Sequence, residues 1–533
     1  MTTCFRRLAF ALCLTILLFP RGQAQAVYVP LHHPIYEYLD RLTIALSLDW
    51  DGVVKPASRR EVARMLLAAG QQRVHLTPVE REELEYYEKE FRNEILALDP
   101  GKVHPDPRWH LFSYSDSSFS LDVDPVFGET VGDGSSHFFN GAKFQGYAGT
   151  NFGFGFHFND NQEKGEKIDR TKQFVPETGV NIIKSTGANE IEYSETRGYV
   201  SFGTDRIQLM LGKDFVQWGS GERGALILSD KAPSYPMIRF DYTPVSWLTF
   251  HFMHGWLQSL IIDSTRSYPT ALSDEPRNIY REKYIAAHMV SVRPLDGLEL
   301  SVGESIVYSD GSPQILYFIP LIFFRAADHY STHFSQNDGG NSQIFFDARY
   351  DLLHHARMYG TLFIDEISVG SIFDSQKARN QLGYTLGTRI VHPWVEELAA
   401  TLEYTRILPW VYSNSIPTQL YENSGYLLGH YIGQNADQIF VAVEWRPLRG
   451  LAASAYYDYV RRGGKTDVTR QYQLPSLPFL YGDVQRITTK GVNIRYEYMH
   501  DLVGKCGFYW QNPYIMGNSF NVELTVDYGL PLR

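Results

Sequence analysis

The sequence contains little cysteine, and beyond its N-terminus it has no long apolar segment. Of its 3 cysteines, Cys4 and Cys13 lie among the first 26 residues, which leaves Cys506 alone in the rest of the chain. A single cysteine excludes a disulfide framework and a cysteine-based metal site. After residue 26, no apolar run reaches the roughly 18 residues that a membrane-spanning helix needs. The chain is therefore neither a disulfide-stabilised secreted domain nor a helical membrane protein.

Basic residues are fewer than acidic ones. The chain has 49 lysines and arginines against 60 aspartates and glutamates, a formal net charge of −11. This balance argues against nucleic acid as a partner. The loop at 219–224 (GSGERG) looks like a phosphate-binding loop, but it lacks the Gly-Lys-Ser/Thr ending and a following helix. No zinc-protease, C-x-x-C or EF-hand pattern occurs, so we predict no catalytic residue, no metal and no cofactor.

The first 26 residues have the organisation of an export signal. Arg6 and Arg7 form a basic start, residues 8–19 an apolar core, and residues 24–26 (AQA) a cleavage site. We expect the mature chain to begin at Val27. The signal carries three arginines and no acid, so the mature chain has 46 basic residues against 60 acidic ones, a net charge of about −14.

Residues 27–100 show the periodicity of amphipathic helices. Apolar residues recur at helical spacing over residues 34–48. Two capping boxes, at residues 58–61 (SRRE) and 77–80 (TPVE), each begin a further helix. The outer faces of these helices are strongly charged, which places them in water. We predict a signal peptide at 1–26, a bundle of three helices with a linker at 27–108, and a separate β-domain at 109–533.

From about Phe119 onward the periodicity changes from helical to two. Residues 151–158 (NFGFGFHF) put four phenylalanines on one face of a strand, with glycine and histidine on the other. Aromatic residues make up 14% of the chain, which also has 43 glycines. An exported chain of this kind without membrane helices is typical of a transmembrane β-barrel, whose strands are about 10 residues long. A large secreted all-β protein is the alternative.

The lengths of the connections favour the barrel. We count about eighteen antiparallel candidate strands between residues 119 and 528, joined alternately by short turns and by longer loops. Four of the short turns contain a proline, at Pro244, Pro294, Pro393 and Pro447. The long loops are residues 159–192, 213–236, 256–281, 307–341, 407–437 and 461–487. Short turns on one rim and long loops on the other are typical of an outer-membrane barrel with its short turns in the periplasm.

The most apolar run of the mature chain does not fit this plan well. Residues 315–324 (ILYFIPLIFF) fall in a predicted outer loop. They either extend a strand or fold back into the lumen, and the sequence leaves both arrangements open.

Polar and aromatic residues recur at positions predicted to face the lumen. Glu403 and Arg406 lead into Trp410 and Tyr412, and Glu304 ends an earlier strand. Such a lining suits carbohydrate, because planar side chains stack on sugar faces and charged groups bond hydroxyls and uronates. The alternative is a ladder of charges that fills the lumen and binds nothing. The chemistry of the residues alone does not decide between the two.

Several ordered motifs resemble those of the capsule assembly Wzi family. The longest is residues 211–239, which includes Trp218-Gly219-x-Gly221 and the segment 224–232 (GALILSDKA). The others are residues 284–288 (YIAAH), 298–304 (LELSVGE), 359–366 (YGTLFIDE), 403–406 (EYTR) and 428–433 (LGHYIG). The resemblance runs from about Tyr28 to the C-terminus. One departure is Glu366, which stands where the family has the second aspartate of a pair.

The resemblance implies an outer-membrane barrel of eighteen strands, closed on its periplasmic side by an N-terminal helical bundle. It also implies a lectin-like role in holding capsular polysaccharide at the cell surface. We therefore expect a monomer in the outer membrane that contacts membrane lipid and capsular or extracellular polysaccharide and is not an enzyme. The candidate polysaccharide-binding residues are Lys213, Trp218, Glu222, Arg223, Arg239, Glu304, Glu403, Arg406, Trp410 and Tyr412. The alternatives are a channel for small solutes or glycan and an outer-membrane hydrolase.

Overall fold

The computed structural model describes residues 26–102, 108–116, 118–270, 273–335, 339–352, 355–367, 370, 380–512 and 519–529. The predicted signal peptide lies outside these residues except for Ala26. The linker predicted at the end of the 27–108 region, residues 102–108, lies mostly outside them as well.

The strands follow the predicted order along the chain. They are β1 (Val54–Lys55), β2 (Phe112–Ser115), β3 (Phe119–Gly132), β4 (Ser135–Ala148), β5 (Phe152–Gly165), β6 (Ile182–Gly187), β7 (Glu190–Gly203), β8 (Ile207–Asp214), β9 (Gln217–Trp218), β10 (Tyr235–Val245), β11 (Leu248–Ile262), β12 (Tyr268–Thr270), β13 (Ser273–Arg277), β14 (Tyr280–Leu295), β15 (Leu298–Ser309), β16 (Asn341–Leu352), β17 (Ala356–Glu366), β18 (Gln381–Val391), β19 (Leu398–Ile407), β20 (Glu422–Asn423), β21 (Tyr426–Leu427), β22 (Ala436–Leu448), β23 (Leu451–Arg462), β24 (Gln485–Met499), β25 (Leu502–Asn512) and β26 (Ser519–Tyr528).

Eighteen of these strands close into one antiparallel barrel, which confirms the predicted fold class. They are β3–β5, β7, β8, β10, β11, β14–β19 and β22–β26, and the barrel closes where β26 pairs with β3. The short strands β2 and β6 add to the edges of β3 and β7.

Side chains alternate between the lumen and the outside along each barrel strand. In β5, Phe152 and Phe156 are exposed on the outside, whereas Gly153 and His157 are buried on the inside. Apolar residues such as Leu386 and Leu402 are exposed in the same way. An apolar exterior around a polar interior is the surface expected of a barrel that spans a membrane.

The predicted short turns all join neighbouring strands at one rim, which we call the short-turn rim. They follow β4, β7, β10, β14, β16, β18, β22 and β24. The predicted long loops connect strands at the opposite rim, the long-loop rim. One connection at the long-loop rim is short, because only residues 133–134 separate β3 from β4.

The N-terminal region forms four helices rather than three. They are α1 (Ile35–Leu46), α2 (Arg59–Gln71), α3 (Pro78–Glu90) and α4 (Arg92–Leu98). Both predicted capping boxes lie at helix starts, and in the second Thr77 and Glu80 bond each other's backbone N–H groups. The predicted third helix breaks at Phe91. Arg59 stabilises the break, because it donates to the Glu90 carbonyl at 2.8 Å. Within the described part of the chain, no helix is long and apolar enough to cross a membrane.

Polar contacts attach this helical bundle to barrel residues around the whole short-turn mouth. They join Tyr28 to Tyr199, Ser58 to Gln208, Arg60 to Asp205, Asp51 to His251, Asp49 to Arg293, Asp40 to Arg357, Arg41 to Glu397, Glu37 to Arg446, Tyr86 to Glu497 and Glu94 to Tyr147. Because these partners lie on strands or turns around the circumference, the bundle occupies the mouth as a plug.

Residues 315–335, which we call the external segment, lie against the outside of the barrel wall. The segment begins with a 3₁₀ turn (Ile315–Phe318) and continues as α5 (Phe324–Ser335). Ile306 and Tyr308 share the outward face of β15 with the exposed Val302, yet both are buried, because Tyr317 and Phe324 pack over this part of the wall. The apolar run therefore neither extends a strand nor enters the lumen, and both arrangements expected from the sequence are wrong.

Candidate functional site

The barrel lumen contains a packed part and an open chamber. Beside β8–β19, residues of the long loops form an apolar core that includes Trp218, Leu226, Tyr412 and Tyr421. The other side encloses a chamber of about 1180 Å³. Its walls include β3–β5, β7 and β22–β26, and residues of the plug, His32 among them, contribute to its lining. The chamber is therefore a candidate binding site.

The chamber wall is polar, with aromatic rings set into it. Tyr456 on β23, Asn493 on β24 and Tyr509 and Gln511 on β25 all line it and keep part of their surface open. Amide groups both donate and accept hydrogen bonds, as sugar hydroxyls require, and tyrosine offers a flat apolar face beside a polar tip. The wall therefore has the chemistry needed to bind a carbohydrate.

Arg223 extends from a loop into this chamber. Its guanidinium lies 5.3 Å from the ring centres of both Phe440 and Tyr456. Its Nε donates to Asp458 at 2.9 Å, and about a quarter of the side chain remains exposed. These contacts fix the planar group in one orientation while leaving part of its donor set open to a ligand.

The loop that carries Arg223 is fixed from behind by Glu403. The backbone N–H groups of Glu222 and Arg223 donate to the two oxygens of this buried carboxylate at 2.6 and 3.1 Å. Gly221 has a φ of 157°, and a Cβ there would come within 2.1 Å of the Gly224 carbonyl oxygen. The tight loop therefore requires glycine at this position, and Glu403 acts as a positioning residue.

His430 lies behind the same loop and remains neutral. It is fully buried, and a Cβ on Gly224 would come within 2.9 Å of its Nε2. Burial, with a contribution from the charge of Arg223, lowers the pKa of His430 to about 3. The loop thus carries the guanidinium of Arg223 without a second positive charge beside it.

A chain of ion pairs links this loop to the plug. Glu222 accepts from Arg389 at 3.1 Å, and Arg389 donates to Glu444 at 2.8 Å. Glu444 accepts in turn from Arg446 at 2.9 Å, and Arg446 also pairs with Glu37 of α1. The chamber wall and the helical plug are therefore parts of one connected polar network.

The structure places only part of the predicted binding set around the chamber. Lys213, Glu222 and Arg223 line it, and Glu403 supports the loop behind it. Lys213 donates to the Thr196 carbonyl at 2.7 Å. Lys213 on β8 and the loop residues Glu222 and Arg223 thus line the same chamber.

Four of the predicted residues are buried in packed regions. Trp218 has no exposed surface and packs in the apolar core. Arg239 pairs with Asp241 at 2.8 Å and donates to a backbone carbonyl of the plug. Trp410 and Tyr412 are at most 5% exposed. In this conformation all four are held in packed surroundings and offer almost no surface to a ligand.

Glu304 and Arg406 point away from the lumen, so the predicted inward orientation is wrong for both. Glu304 follows Val302 on the outward face of β15 and is buried under the external segment. Arg406 follows Leu402 on the outward face of β19, and its guanidinium lies 3.7 Å from the ring centre of Phe479. Neither residue can contact a ligand in the chamber.

Sequence reasoning missed most of the chamber wall. Tyr456, Asn493 and Tyr509 lie at ordinary alternating positions of the last strands, with no motif around them. The one available signal was the alternation of side chains along the strand. The residues on either side of each of these three are apolar and face outward, which places the three themselves in the lumen. Among the described residues, no group of three or more histidine, cysteine, aspartate or glutamate side chains is arranged to hold a metal ion.

Glu304 attaches the external segment to the wall. Its carboxylate accepts from the backbone N–H of Phe324, the first residue of α5, at 2.6 Å, and lies 3.1 Å from Nε2 of His288. Removing a helix cap costs about 0.5–2 kcal/mol. In Glu304→Ala, α5 should therefore detach up to about thirtyfold more often. Limited trypsin digestion of the folded protein measures this as faster cleavage after the exposed Arg325.

Glu282→Ala is the matched control for this experiment. Glu282 is a partly exposed glutamate on the neighbouring strand β14 and pairs with Arg266 instead of the external segment. Equal cleavage rates in the wild type, Glu304→Ala and Glu282→Ala would show that Glu304 does not hold α5.

Comparison with known proteins supplies a family and a fold. The family model described as capsule assembly protein Wzi matches residues 127–508. No curated protein matches the chain. Among solved structures, the chain is similar to Wzi of Escherichia coli, described as an outer-membrane protein of group 1 capsule assembly and a carbohydrate-binding β-barrel. The two are 15% identical, with a TM-score of 0.60 over 95% of this chain and 100% of that one.

Two further solved structures match more weakly. OccK5 (OpdH) of Pseudomonas aeruginosa is 9% identical, with a TM-score of 0.42 over 78% of this chain and 99% of its own. OccAB4 of Acinetobacter baumannii is 10% identical, with a TM-score of 0.43 over 78% of this chain and 98% of its own. At these values neither structure bears on how the chamber is used.

Proposed function

Because the chain belongs to the capsule assembly protein Wzi family, we propose that it binds capsular or extracellular polysaccharide in the outer membrane. Through this binding it helps to assemble or attach the capsule at the cell surface. It acts as a monomeric binding protein and has no catalytic role. The E. coli Wzi barrel, which this chain resembles in fold, is described as carbohydrate-binding.

The observation that carries this proposal is the chamber. It extends from residues near the long-loop rim, such as Asp133 and Gln485, to His32 and Glu37 of the plug. A glycan entering from the long-loop side would meet the Arg223 guanidinium together with the amide and tyrosine side chains of β23–β25. The plug would stop it from passing through. This arrangement suits retention of a polymer more than its transport.

The orientation in the membrane follows from the two rims and the exterior. The strands carry exposed aliphatic and aromatic residues on their outer face, which lipid would cover. The short turns and the charged helical bundle then lie in the periplasm, and the long loops and the chamber mouth lie at the cell surface.

The test of this function uses the full mature chain, folded in detergent. Its binding to the host's own surface polysaccharide is measured by calorimetry, and the same sample is reconstituted in a planar bilayer. We expect saturable binding and almost no ion conductance. Steady conductance without binding would overturn the proposal and identify the protein as a channel.

A further inference from the structure

A row of charged residues crosses the outward face of the barrel near the long-loop rim. Arg406 on β19 pairs in register with Asp437 on β22, Asp437 with Arg461 on β23, and Arg461 with Arg486 on β24. We call these four residues the outer row. Each lies an even number of residues from outward apolar residues of its own strand, so the row shares their face and points away from the lumen. Its three arginines and one aspartate give it a net charge of +2.

The position of the row relative to the membrane follows from the register of the same strands. One step, which is two residues along each strand on the same outward face, leads toward the short-turn rim to Tyr404, Ile439, Tyr459 and Thr488. The next step holds Leu402, Val441, Tyr457, Lys490 and Trp510, and the step after that is mostly aliphatic. Aromatic residues above an apolar band mark the membrane–water interface of such barrels. The outer row therefore stands at the level of the lipid headgroups of the outer leaflet.

The charges within the row are only partly compensated. Arg461 donates to both oxygens of Asp437, through Nε at 2.8 Å and through Nη2. Arg406 has the Phe479 ring beneath it, at 3.7 Å. Arg486 is exposed, and no acidic partner for it occurs among the described residues. Arg461 and Arg486 are directly opposed, and like charges in that position repel each other.

The opposite wall lacks this excess of positive charge. Near the long-loop rim, outward positions of β5 to β7 carry Lys164 and Lys184. Lys164 lies 3.1 Å from Glu190, and Lys184 lies 2.7 Å from Asp160. The lysines of the opposite wall are thus paired with acidic residues, and the excess of positive charge is local to the outer row. The whole chain carries a net charge of −11.

We propose that the outer row is a binding site for the phosphate groups of a phosphorylated glycolipid in the outer leaflet. Arginine presents a planar fork of donors that matches phosphate oxygens, and a phosphate between Arg461 and Arg486 removes their repulsion. Arg406 and its ring partner Phe479 extend the site along the rim. The proposal goes beyond polysaccharide binding and does not depend on it, because the outer row and the chamber lie on opposite faces of the wall.

The test compares two double variants of the full mature chain in nanodiscs of neutral phosphatidylcholine. The probe is a bisphosphorylated diglucosamine lipid, and its retention is read by native mass spectrometry. Arg406→Gln with Arg486→Gln should retain it at least tenfold less than the wild type. Lys164→Gln with Lys184→Gln, which removes the same charge from the opposite wall, should retain it like the wild type.

Further arms of the experiment separate the possible ligands. The same glycolipid without its phosphates should bind poorly, and inorganic phosphate should fail to displace the intact lipid. Equal retention of both lipids, or displacement by inorganic phosphate at matched concentration, would overturn the proposal. So would a double variant that keeps the lipid but loses the polysaccharide. If the double variant does not fold, Arg486→Gln alone, at an exposed position, should still weaken retention.

Discussion

The Arg41→Ala variant should loosen the helical plug by about 3–5 kcal/mol, the cost of breaking a buried ion pair by removing one partner. Arg41 is 1% exposed and pairs with Glu83 of α3 and, at 3.1 Å, with Glu397 in the turn after β18. Without the guanidinium, both carboxylates stay buried next to each other. The nearest remaining cation is Arg446, whose Nη1 lies 3.9 Å from Glu83, too far for a good hydrogen bond.

Hydrogen exchange of the amides in α1–α3 measures this loss. If these helices exchange through detachment of the plug, their rates should rise by roughly 100- to 5,000-fold. A second measurement is the conductance of a planar bilayer, because a detached plug opens the chamber to the short-turn mouth. We expect brief openings in Arg41→Ala that the wild type does not show.

Arg64→Ala is the control for this variant. Arg64 also joins the bundle to a barrel turn, at 3.0 Å from Asp205, but both side chains are about half exposed. Exposed pairs contribute roughly 0–1 kcal/mol, so this variant should change exchange rates little. If Arg41→Ala and Arg64→Ala behaved alike, the buried cluster around Arg41 would not be what holds the plug.

The barrel could be predicted from the sequence because its signals are local. Period-two alternation, proline at Pro244, Pro294, Pro393 and Pro447, and alternating connection lengths each depend on neighbouring residues alone. Together they gave the strand count and separated the two rims. The capping boxes at 58–61 and 77–80 located two helix starts for the same reason.

The external segment could not be predicted, because its position depends on contacts between distant parts of the chain. The side of the barrel wall on which the apolar run 315–324 packs is decided by tertiary contacts with strands that are distant in sequence. From the sequence, Glu304 is predicted to face the lumen together with other polar residues of the barrel strands. The structure compensates it with the Phe324 N–H and His288, neither of which lies near it in the sequence. Glu304 comes two residues after the outward-facing Val302 on the same strand. The alternation of side chains alone would therefore have placed it on the outward face.

The part of the candidate site that could be predicted from the sequence is the loop in which glycines and charged residues occur together. Glycines and charges at 219–224 identified the loop that carries Arg223, because tight turns leave a sequence signature. Trp218 was a wrong guide to the chamber surface, since a large aromatic residue stabilises a core as readily as a binding site. Its full burial shows the first role here.

Arg223→Ala should weaken polysaccharide binding by roughly 10- to 150-fold, because a hydrogen bond to a charged group contributes about 1.5–3 kcal/mol. The barrel should remain folded. Asp458 keeps Gln438 Nε2 at 2.7 Å and the Tyr431 hydroxyl at 3.3 Å as partners after the arginine is removed. Calorimetric titration with the host polysaccharide measures the affinity, and circular dichroism checks the fold.

Two further variants locate the cause of any loss of affinity. Arg223→Lys keeps the charge but loses the planar fork between Phe440 and Tyr456, so it should restore only part of the affinity. Arg266→Ala removes an exposed arginine in a long loop outside the chamber, where it pairs with Asp263, and should bind normally. Equal affinity in Arg223→Ala and the wild type would contradict a ligand site at this wall. Binding would then have to occur away from this wall, for example on the outer surfaces of the long loops.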